Sequence, residues 1–396
     1  MTIDEQLEKL LAGADTLLPK GGLRAKLEER RPLRVKLGMD PTAPSVTLGW
    51  AVVLRKLRDF QELGHTAVLI VGDFTAQVGD PSGKSETRKR LSKEEVQRYA
   101  DDLLDQFSKV LLPDNLEIRY NSEWLAPLDM QDVLGFTSQV TVAQMLERED
   151  FTNRFETNKP ISLMEFMYPL LQGMDSVAVE ADVELGGSDQ LWNNMMGRTL
   201  QQKYGKPAQV VLTMPLLVGT DGVQKMSQSL ANYVGITDER NDMFGKVMSI
   251  PDHLMESWFT LATSVPAKEV SSLIKDLERG SIHPSQLKRR LARSIVEEYH
   301  PGGGGEAEIA FDRIFKQHQV PDEVPEATLP GDEDVFLPAI LSAAGLVKSN
   351  GEARRLIDQG AVKINREPIS TTNMSRGDLI GVVLQVGKRR FLRLVE

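Results

Sequence analysis

Apolar residues recur with two different periods along the first part of the chain. The stretches "LRVKLGMD" (33–40) and "HTAVLIVGDF" (65–74) are short and mostly apolar, which predicts two strands. Between them, "WAVVLRKLRDFQELG" (50–64) has apolar residues at helical spacing and ends in a glycine. This order predicts a βαβ unit and an α/β fold with a parallel, doubly wound sheet. A later run, "QVVLTMPLLVGTDG" (209–222), predicts another strand leading into a glycine-containing loop.

The pattern becomes helical after Asn232 and stays so to about residue 300. The stretch "PGGGG" (301–305) is too rich in glycine for a helix interior and predicts a flexible break. The next stretch, "DEVPEATLPGDEDV" (322–335), is rich in acids and prolines, which predicts a linker.

A small α+β module is predicted at the end of the chain. The stretches "FLPAILSAAGL" and "SNGEARRLIDQG" have the pattern of two short helices, with a capping box from Ser349 and Glu352 and a closing Gly360. "AVKINRE" and "GVVLQVGKRRFLRLVE" then predict strands joined by a Gly-Lys turn.

Charge separates this module from the rest of the chain. Residues 336–396 carry ten Lys and Arg against five acids, a balance of +5, whereas the whole chain has a net charge of −10. The part before residue 336 therefore carries −15. A basic module on an acidic body argues against a protein that coats nucleic acid over its whole surface, and for a localised contact.

Composition excludes several classes of protein. The 396 residues include no cysteine, so disulfides, thiolate zinc sites and a cysteine nucleophile are excluded. The N-terminus is acidic and amphipathic, so we expect no signal peptide. No apolar run approaches the roughly 20 residues of a membrane helix, so we expect no contact with a membrane.

The stretch "GDPSGKSETR" (79–88) resembles a phosphate-binding loop in its residue types. Val78 stands where the first glycine of such a loop should be, so the spacing does not match. Gly83 frees the backbone, and Lys84 and Arg88 offer cations to phosphate. A polar turn after a strand is the alternative interpretation.

Three further motifs place polar groups where a nucleotide or an amino acid could bind. In "YPLLQGMD" the offsets of four and three put Tyr168, Gln172 and Asp175 near one helix face, although an exposed polar face is the simpler interpretation. In "GGSDQ" (186–190), Asp189 could bind a ribose diol, but many turns have this composition. In "KMSQS" (225–229), a lysine and hydroxyls could close over a triphosphate, with a surface loop as the alternative.

Together these motifs resemble those of bacterial tyrosyl-tRNA synthetases, in the same order. These are class I enzymes with a Rossmann-type catalytic domain, and the resemblance covers nearly the whole chain. It includes a C-terminal module similar to the S4-type RNA-binding domain, centred on "SNGEARRLIDQGAVKINRE". Tryptophanyl-tRNA synthetases have similar motifs, but Gln172, "GDPSGK" and the S4-like tail favour tyrosine.

The resemblance implies four parts of the chain. These are a Rossmann-type catalytic domain (1–231) with a dimerisation insertion near 130–160, a helical domain of the anticodon-binding type (232–325), a linker (326–335) and an S4-like domain (336–396). It also implies a cytoplasmic homodimer, with "FTSQVTVAQMLEREDF" in the interface.

The activity implied by the resemblance is the joining of L-tyrosine to tRNA(Tyr). The tyrosine carboxylate attacks the α-phosphate of ATP, and the resulting tyrosyl-adenylate then delivers the tyrosyl group to the terminal ribose of the tRNA. ATP is a substrate, Mg²⁺ accompanies it, and no cofactor is permanently bound. Asp175 would accept a hydrogen bond from the phenol, so phenylalanine would leave a buried carboxylate unpaired.

The residues implied for each task form four groups. Tyrosine would be bound by Thr75, Asp80, Tyr168, Gln172, Asp175 and Gln190. ATP would be bound by Asp40, Gly49, Trp50, Gly187, Asp189 and Lys225. The reacting phosphates would be held by Thr42, Thr47, Lys84, Arg88, Lys225 and Ser229. RNA would be contacted by Arg354, Arg355, Lys363, Lys388, Arg389 and Arg390, although a solvated, charged hairpin edge is the alternative for "GKRRF".

The sequence departs from the family pattern at several positions. The HIGH-type motif is Thr47-Leu48-Gly49-Trp50, so both imidazoles are replaced, and the second lysine of the KMSKS loop is Gln228. Lys36 stands at a position that is tyrosine in one branch of the family. Two hypotheses follow: an active enzyme in which Thr47 donates a hydroxyl and Trp50 packs beside the nucleotide, or a paralogue that binds tyrosine or RNA as a regulator. The intact amino-acid pocket favours the active enzyme.

Overall fold

The structure is a computed structural model of the chain. It describes residues 1–79, 92–315, 324–331, 333–364, 367–387 and 390–396. The described residues form two compact units, Met1–Gly304 and Gly305–Glu396, and each is treated by itself.

The first unit is built on a six-stranded sheet with the strand order β1-β6-β5-β2-β3-β4. All neighbours are parallel except β1, which pairs antiparallel with β6. The strands are β1 (Thr16–Leu18), β2 (Arg34–Met39), β3 (Thr66–Val71), β4 (Leu116–Tyr120), β5 (Val183–Gly187) and β6 (Val210–Met214). The chain proceeds from β2 to β4 on one side and returns to β5 and β6 on the other, which is the predicted doubly wound order.

This unit also contains fifteen helices within the described residues. They are α1 (Ile3–Leu11), α2 (Gly22–Glu28), α3 (Leu48–Glu62), α4 (Thr75–Val78), α5 (Lys93–Phe107), α6 (Ser122–Leu125), α7 (Met130–Thr137), α8 (Val142–Met145), α9 (Glu149–Glu156), α10 (Leu163–Ala178), α11 (Leu191–Lys203), α12 (Arg240–Met248), α13 (Met255–Ala262), α14 (Ala267–Glu278) and α15 (Pro284–Tyr299). Short 3₁₀ turns lie at Ser188–Gln190, Gln228–Leu230 and Asp252–Leu254.

The predicted βαβ unit is present as β2, α3 and β3. Strand β3 is buried at five of its six positions, as expected for a parallel strand covered on both faces. Helix α3 begins at the N-cap Thr47, whose side chain accepts from the amide of Trp50, and Gly64 follows its end at a φ of +85°. The positive φ explains why glycine closes this helix.

The second unit contains helix α16 (Gly304–Phe315), which starts at the boundary, and a compact α+β module. Its helices are α17 (Leu337–Ala343), α18 (Asn350–Asp358) and α19 (Arg376–Leu379), and its strands are β7 (Glu326–Thr328), β8 (Asp334–Phe336), β9 (Val362–Ile364), β10 (Glu367–Pro368), β11 (Asn373–Ser375), β12 (Val383–Val386) and β13 (Arg390–Val395). Five strands form one sheet in the order β10-β9-β12-β13-β7, and β8 pairs with β11.

The module confirms most of the predicted elements of the tail. Ser349 Oγ accepts from the amide of Glu352, and Gly360 has a φ of +67°. The Glu352 carboxylate accepts from the amide of Lys348 instead of that of Ser349, so only half of the predicted capping box forms.

The predicted linker differs from the structure. Residues 326–328 form strand β7, which pairs in parallel with β13, and Leu329 is 4% exposed. Acids and prolines obscured strand β7, in which Glu326 and Thr328 are exposed and Ala327 packs against the core. Helices α12 to α15 belong to the same unit as the large sheet, and this unit ends at Gly304. The contacts therefore do not separate a helical domain from the sheet. The glycine run is only partly a break, because α16 begins at Gly304.

Within the described residues, no helix combines the length and the apolar character that crossing a membrane requires.

Candidate functional site

A cavity of about 500 Å³ opens at the carboxyl edge of the large sheet. It lies where β2 and β5 are neighbours and the order of strands along the sheet reverses, which is where ligands bind in doubly wound folds. Fourteen of the residues that the sequence nominated line this cavity: Asp40, Thr42, Thr47, Gly49, Trp50, Thr75, Tyr168, Gln172, Asp175, Gly187, Asp189, Gln190, Lys225 and Ser229.

Five nominated residues lie outside the described part of the chain. They are Asp80, Lys84, Arg88, Lys388 and Arg389.

Helix α10 carries the amino-acid side of the cavity. Tyr168, Gln172 and Asp175 all line it, as the helical spacing predicted. Asp175 is 3% exposed, and its Oδ1 accepts from the indole nitrogen of Trp124 at 2.9 Å. Asn121 Nδ2 lies 3.5 Å from its Oδ2. Burial raises the pKa of Asp175 from 3.8 to about 7, against the lowering effects of the Lys36 charge and of these two donors.

A chain of hydrogen bonds joins this carboxylate to the end of β2. Asn121 donates to Thr75 Oγ1 at 3.0 Å, and Thr75 donates to Asp40 Oδ1 at 2.7 Å. The Tyr168 hydroxyl donates to the other oxygen of Asp40 at 3.0 Å. Gly72 makes this possible, because a Cβ there would lie 2.1 Å from Asp40 Oδ1. Two carboxylates and two hydroxyls therefore face one small volume, which suits a ligand with both an ammonium and a hydroxyl group.

The N-terminus of α3 forms the nucleotide side of the cavity. Thr47 is 2% exposed, and its hydroxyl oxygen caps the helix by accepting from the amide of Trp50 at 3.3 Å. Its hydroxyl hydrogen remains a possible donor. The amide of Gly49 lies 3.3 Å from the sulfur of Met226. Trp50 is 38% exposed and stacks on Phe107 with ring centroids 6.1 Å apart, so part of its indole is open to the cavity.

The "KMSQS" loop is folded against this helix end. Lys225 Nζ donates to Asp189 Oδ2 at 2.7 Å, and the hydroxyls of Ser227 and Ser229 are 2.9 Å apart. Gln228, the residue in place of the second lysine, donates to the backbone oxygen of Ser45 just before α3. The loop therefore has polar contacts on both sides of the nucleotide half of the cavity.

The nominated RNA residues lie on two kinds of element. Arg354 and Arg355 are exposed on α18, and the Arg354 guanidinium lies 5.2 Å from the ring centroid of Phe336. Lys363 lies in β9 and is half-buried. Arg390 begins β13 and donates to the backbone oxygen of Leu346. Four cations are thus distributed over one helix and two strands of the module.

Sequence reasoning missed Asn121, Trp124 and Glu184. Asn121 and Trp124 follow the carboxyl end of β4, and Glu184 lies inside β5. The strand before "YNSEW", β4, was not predicted, so these residues gave no signal of their own. The structure shows that they come directly after β4 and thus reach the same edge of the sheet as the predicted site. Glu184 gave no signal beyond a charge within an apolar run.

Comparisons with known proteins identify the family of the chain. The model of the family described as tRNA synthetases class I (W and Y) matches residues 28–316, and the S4 domain model matches residues 337–374. The chain is 49% identical to the tyrosine–tRNA ligase of Moorella thermoacetica, over 99% of this chain and 96% of that protein. It is 49% identical to that of Carboxydothermus hydrogenoformans, over 100% and 99%.

Solved structures resemble the fold. A tyrosyl-tRNA synthetase from Archaeoglobus fulgidus complexed with L-tyrosine has a TM-score of 0.63 at 22% identity, over 77% of this chain and 99% of that one. A C-terminally truncated mitochondrial tyrosyl-tRNA synthetase from Aspergillus nidulans has a TM-score of 0.64 at 20% identity, over 79% and 94%. At this level of identity the likeness concerns the fold alone.

Proposed function

The chain belongs to the class I tRNA synthetases of the tryptophan and tyrosine group, and on this basis we propose that it is a tyrosine–tRNA ligase. In the first step, a carboxylate oxygen of L-tyrosine attacks the α-phosphorus of ATP. A new P–O bond forms, and pyrophosphate leaves with the electron pair of the broken bond. In the second step, a hydroxyl of the terminal ribose of tRNA(Tyr) attacks the carbonyl carbon of the adenylate. An ester bond forms, AMP leaves with the electron pair of the broken C–O bond, and the hydroxyl proton passes to solvent.

The observation that carries this proposal is the buried Asp175 carboxylate at the wall of the cavity. Among the described residues, the groups that donate to it, Trp124 and Asn121, are neutral, so it retains lone pairs for another donor. A tyrosine phenol supplies that donor, whereas phenylalanine would desolvate the carboxylate without replacing its lost contact with water. The preference for tyrosine over phenylalanine follows.

The other cavity residues are proposed to position substrate and to balance charge. Tyr168, Gln172 and Thr75, with Asp80, would surround the ammonium group, and Gln190 would lie near the carboxylate. Asp40, Gly49, Trp50, Gly187 and Asp189 would face the adenosine. The phosphates would be held by Thr42, Thr47, Lys84, Arg88, Lys225 and Ser229. Positioning and charge stabilisation are sufficient chemistry for this reaction.

Mg²⁺ is proposed to enter with ATP, held by the phosphates. In the part of the chain that the structure describes, no three His, Cys, Asp or Glu residues gather into a metal site. A Mg²⁺ ion that is coordinated mainly by phosphates and water needs no such cluster.

Two features support activity without the histidines at 47 and 50. The Thr47 hydroxyl borders the cavity and retains a hydrogen to donate, and Lys225 supplies a cation at the same edge. The use of Thr47 Oγ1 as a helix cap supports the alternative, a regulator that binds tyrosine or RNA without activating tyrosine. Both hypotheses include the same amino-acid pocket, so only a test of the chemistry separates the two.

Tyrosine-dependent exchange of labelled pyrophosphate into ATP tests the activity. We expect exchange with the natural protein and no need for histidine at either position. No exchange at millimolar ATP, with tyrosine still bound in calorimetry, would contradict the proposal. Exchange that appears only in T47H/W50H would establish the regulatory alternative.

Replacement of Asp175 by alanine tests the pocket. Removing one hydrogen-bonding partner that is charged alters binding by about 1.5–3 kcal/mol, so we expect the tyrosine-to-phenylalanine ratio of kcat/KM to fall at least about tenfold in D175A. Exchange assays with the two amino acids measure it. Unchanged discrimination would remove Asp175 from the amino-acid site.

Binding of tRNA(Tyr) by the S4-like module, a homodimer and a cytoplasmic location belong to the same proposal. The exposed arginines of α18 support RNA contact, which should weaken as salt rises.

An interface is supported in the segment 130–156. Four of its large apolar residues are each more than 60% exposed: Met130, Leu134, Val142 and Phe155. The cytoplasm is where a bacterial ligase meets tRNA. Sedimentation at twice the chain mass would support the dimer, and a monomer at micromolar concentration would contradict it.

A further inference from the structure

A lysine and a glutamate are buried together beneath the amino-acid pocket. Lys36 of β2 and Glu184 of β5 face each other in the parallel register, with side chains 0% and 1% exposed. Their Nζ and Oε1 atoms are 2.9 Å apart. A charged pair removed this far from water is costly to build into a core unless its geometry and its further hydrogen bonds are good.

Each hydrogen of the Lys36 ammonium has an acceptor. Besides Glu184, Nζ donates to Ser176 Oγ at 2.8 Å and to the backbone oxygen of Gln172 at 3.0 Å. Both of these residues lie on α10, one turn apart, and Asp175 lies between them in sequence. Lys36 therefore fixes the turn of α10 that carries two of the nominated tyrosine-binding residues.

Glu184 completes the connection from the other side. It accepts from Ser176 Oγ at 3.0 Å, from Gln209 and, through Oε1, from the side-chain amide of Gln172 at 3.2 Å. Gln172 is thus held at its backbone oxygen by Lys36 and at its side chain by Glu184. Gly197 of α11 leaves room for this packing, because a Cβ there would lie 2.9 Å from Glu184 Oε2.

The pair also determines the charge around Asp175. Lys36 from β2 and Glu184 from β5 act on this carboxylate with opposite signs. The groups that reach it from α6 and the residue before α6, Trp124 and Asn121, are neutral donors. Beyond Asn121, Thr75 leads to Asp40, whose other oxygen accepts from Tyr168. Of these described neighbours, Lys36 is the cation.

We propose that Lys36 and Glu184 are positioning residues that set the selectivity of the pocket for tyrosine. Lys36 favours the carboxylate form of Asp175, which accepts the phenol hydroxyl, Glu184 opposes this effect, and together they hold Gln172 in place. This inference rests on the proposed tyrosine site. It assigns a role to two residues that would touch no substrate.

The experiment measures tyrosine affinity against pH in the absence of ATP. Calorimetric titrations from pH 5.5 to 8.5 would compare the natural chain with K36M, E184Q and K36M/E184Q. An opposite charge close to a carboxylate lowers its pKa by about 1–3. We therefore expect the fall in affinity at acid pH to begin about one pH unit higher in K36M, with roughly tenfold weaker binding near pH 7.

The E184Q change should have the opposite effect. Removing the negative charge should move the acid fall to lower pH, and the double variant should lie between the two single variants. Phenylalanine, which brings no hydroxyl and is disfavoured by the ionised carboxylate, should show no fall in affinity at acid pH. Loss of packing alone would weaken both variants in the same direction and would leave the pH at which affinity falls unchanged.

D182N is the matched control, because it removes a buried, ion-paired carboxylate at the opposite edge of the sheet. It should lower stability and leave the pH dependence of tyrosine binding in place. If K36M does not fold, the nearly isosteric E184Q still tests the proposal. If the fall in tyrosine affinity at acid pH does not move to lower pH in E184Q, the proposal is overturned. Single variants that shift in the same direction overturn it as well.

The exchange assay on the natural chain separates the ligase activity from the selectivity of the pocket for tyrosine. Tyrosine binding without exchange removes the ligase activity and leaves the selectivity inference open to the same titrations. No tyrosine binding at all overturns both.

Discussion

Two buried aspartates, seven residues apart, lie in opposite electrostatic surroundings. Asp175, at the carboxyl edge of the sheet, has neutral donors as its direct partners. Asp182, at the amino edge before β5, accepts from Lys26 at 2.9 Å, from Arg31 at 2.6 and 2.7 Å and from the amide of Arg34 at 3.0 Å. Among the described residues, the direct hydrogen-bond donors to Asp175 are neutral, whereas Asp182 accepts from two cationic side chains and one backbone amide.

The pKa values follow from these contacts. Burial acts on both carboxyls in the same direction, and it prevails at Asp175, whose pKa rises to about 7. At Asp182 burial also raises the pKa, but the hydrogen bonds from Arg31, Arg34 and Lys26 outweigh it and lower the pKa to about 2. The amino edge is thus stabilised by a satisfied charge, while the carboxyl edge holds a charge that a ligand could satisfy. Replacements at three positions test this contrast.

The largest effect is expected for D175N on stability. The carboxyl titrates at 3.8 when exposed and at about 7 in the fold, so the folded state binds the proton more tightly and loses stability as pH rises from about 4 to 7. Asparagine removes that loss. We expect the free energy of unfolding of D175N to exceed that of the natural chain by up to about 4 kcal/mol at pH 8.

Denaturant unfolding at pH 8 and pH 4.5 measures this difference. The advantage of D175N should shrink toward pH 4.5, where the natural carboxyl is protonated in the fold. An equal effect at both values would show that the buried charge is not its source.

D182N should change the free energy of unfolding in the opposite direction. Its folded pKa of about 2 lies below the ordinary 3.8, so the carboxylate contributes stability above pH 4 that is lost as pH falls toward 2. We expect D182N to lower the free energy of unfolding by about 2 kcal/mol or more at pH 7, because Lys26 and Arg31 also lose their partner.

Thermal unfolding at pH 7 against pH 3 checks the second variant. The difference in stability between D182N and the natural chain should become smaller at the lower pH, and D182N should still bind tyrosine. A stabilised D182N would erase the contrast between the two edges.

The smallest effect is expected for Thr47, a residue of the carboxyl edge with a structural task. Its hydroxyl caps α3, and removing such a cap costs about 1 kcal/mol. T47A should therefore lose about that much stability at any pH between 5 and 8, while T47S should lose almost none.

Exchange assays on the same two variants separate capping from catalysis. If Thr47 also donates to the phosphates, T47A should lose kcat and T47S should retain it. Equal kcat in both variants would leave the cap as its function.

The sequence predicted those features that depend on local spacing. The order β2, α3 and β3 followed from periodicity, and the shared face of Tyr168, Gln172 and Asp175 followed from offsets of four and three. Their individual roles stay predictions. The tail helices α17 and α18 were predicted for the same reason, since each has a complete apolar stripe.

What the sequence could not supply were contacts between distant segments. Trp124 and Asn121 approach Asp175 from more than fifty residues away, and Lys36 has Glu184 as its partner only because β2 and β5 are neighbours in the sheet. Strand β7 was missed because it depends on β13, about 65 residues later, for its hydrogen bonds. Local propensity is weak evidence wherever tertiary pairing decides.

The ion pair between Lys225 and Asp189 has a consequence for the order in which a nucleotide is recognised. While the two side chains are bound to each other, part of the hydrogen-bonding capacity of each is occupied and the two charges partly neutralise each other. A ribose that takes the Asp189 carboxylate would release the Lys225 ammonium to the phosphates. Binding of the sugar and binding of the phosphates are then thermodynamically linked, so that each strengthens the other by the same factor. A part of ATP that carries only the ribose or only the phosphates gains nothing from this linkage.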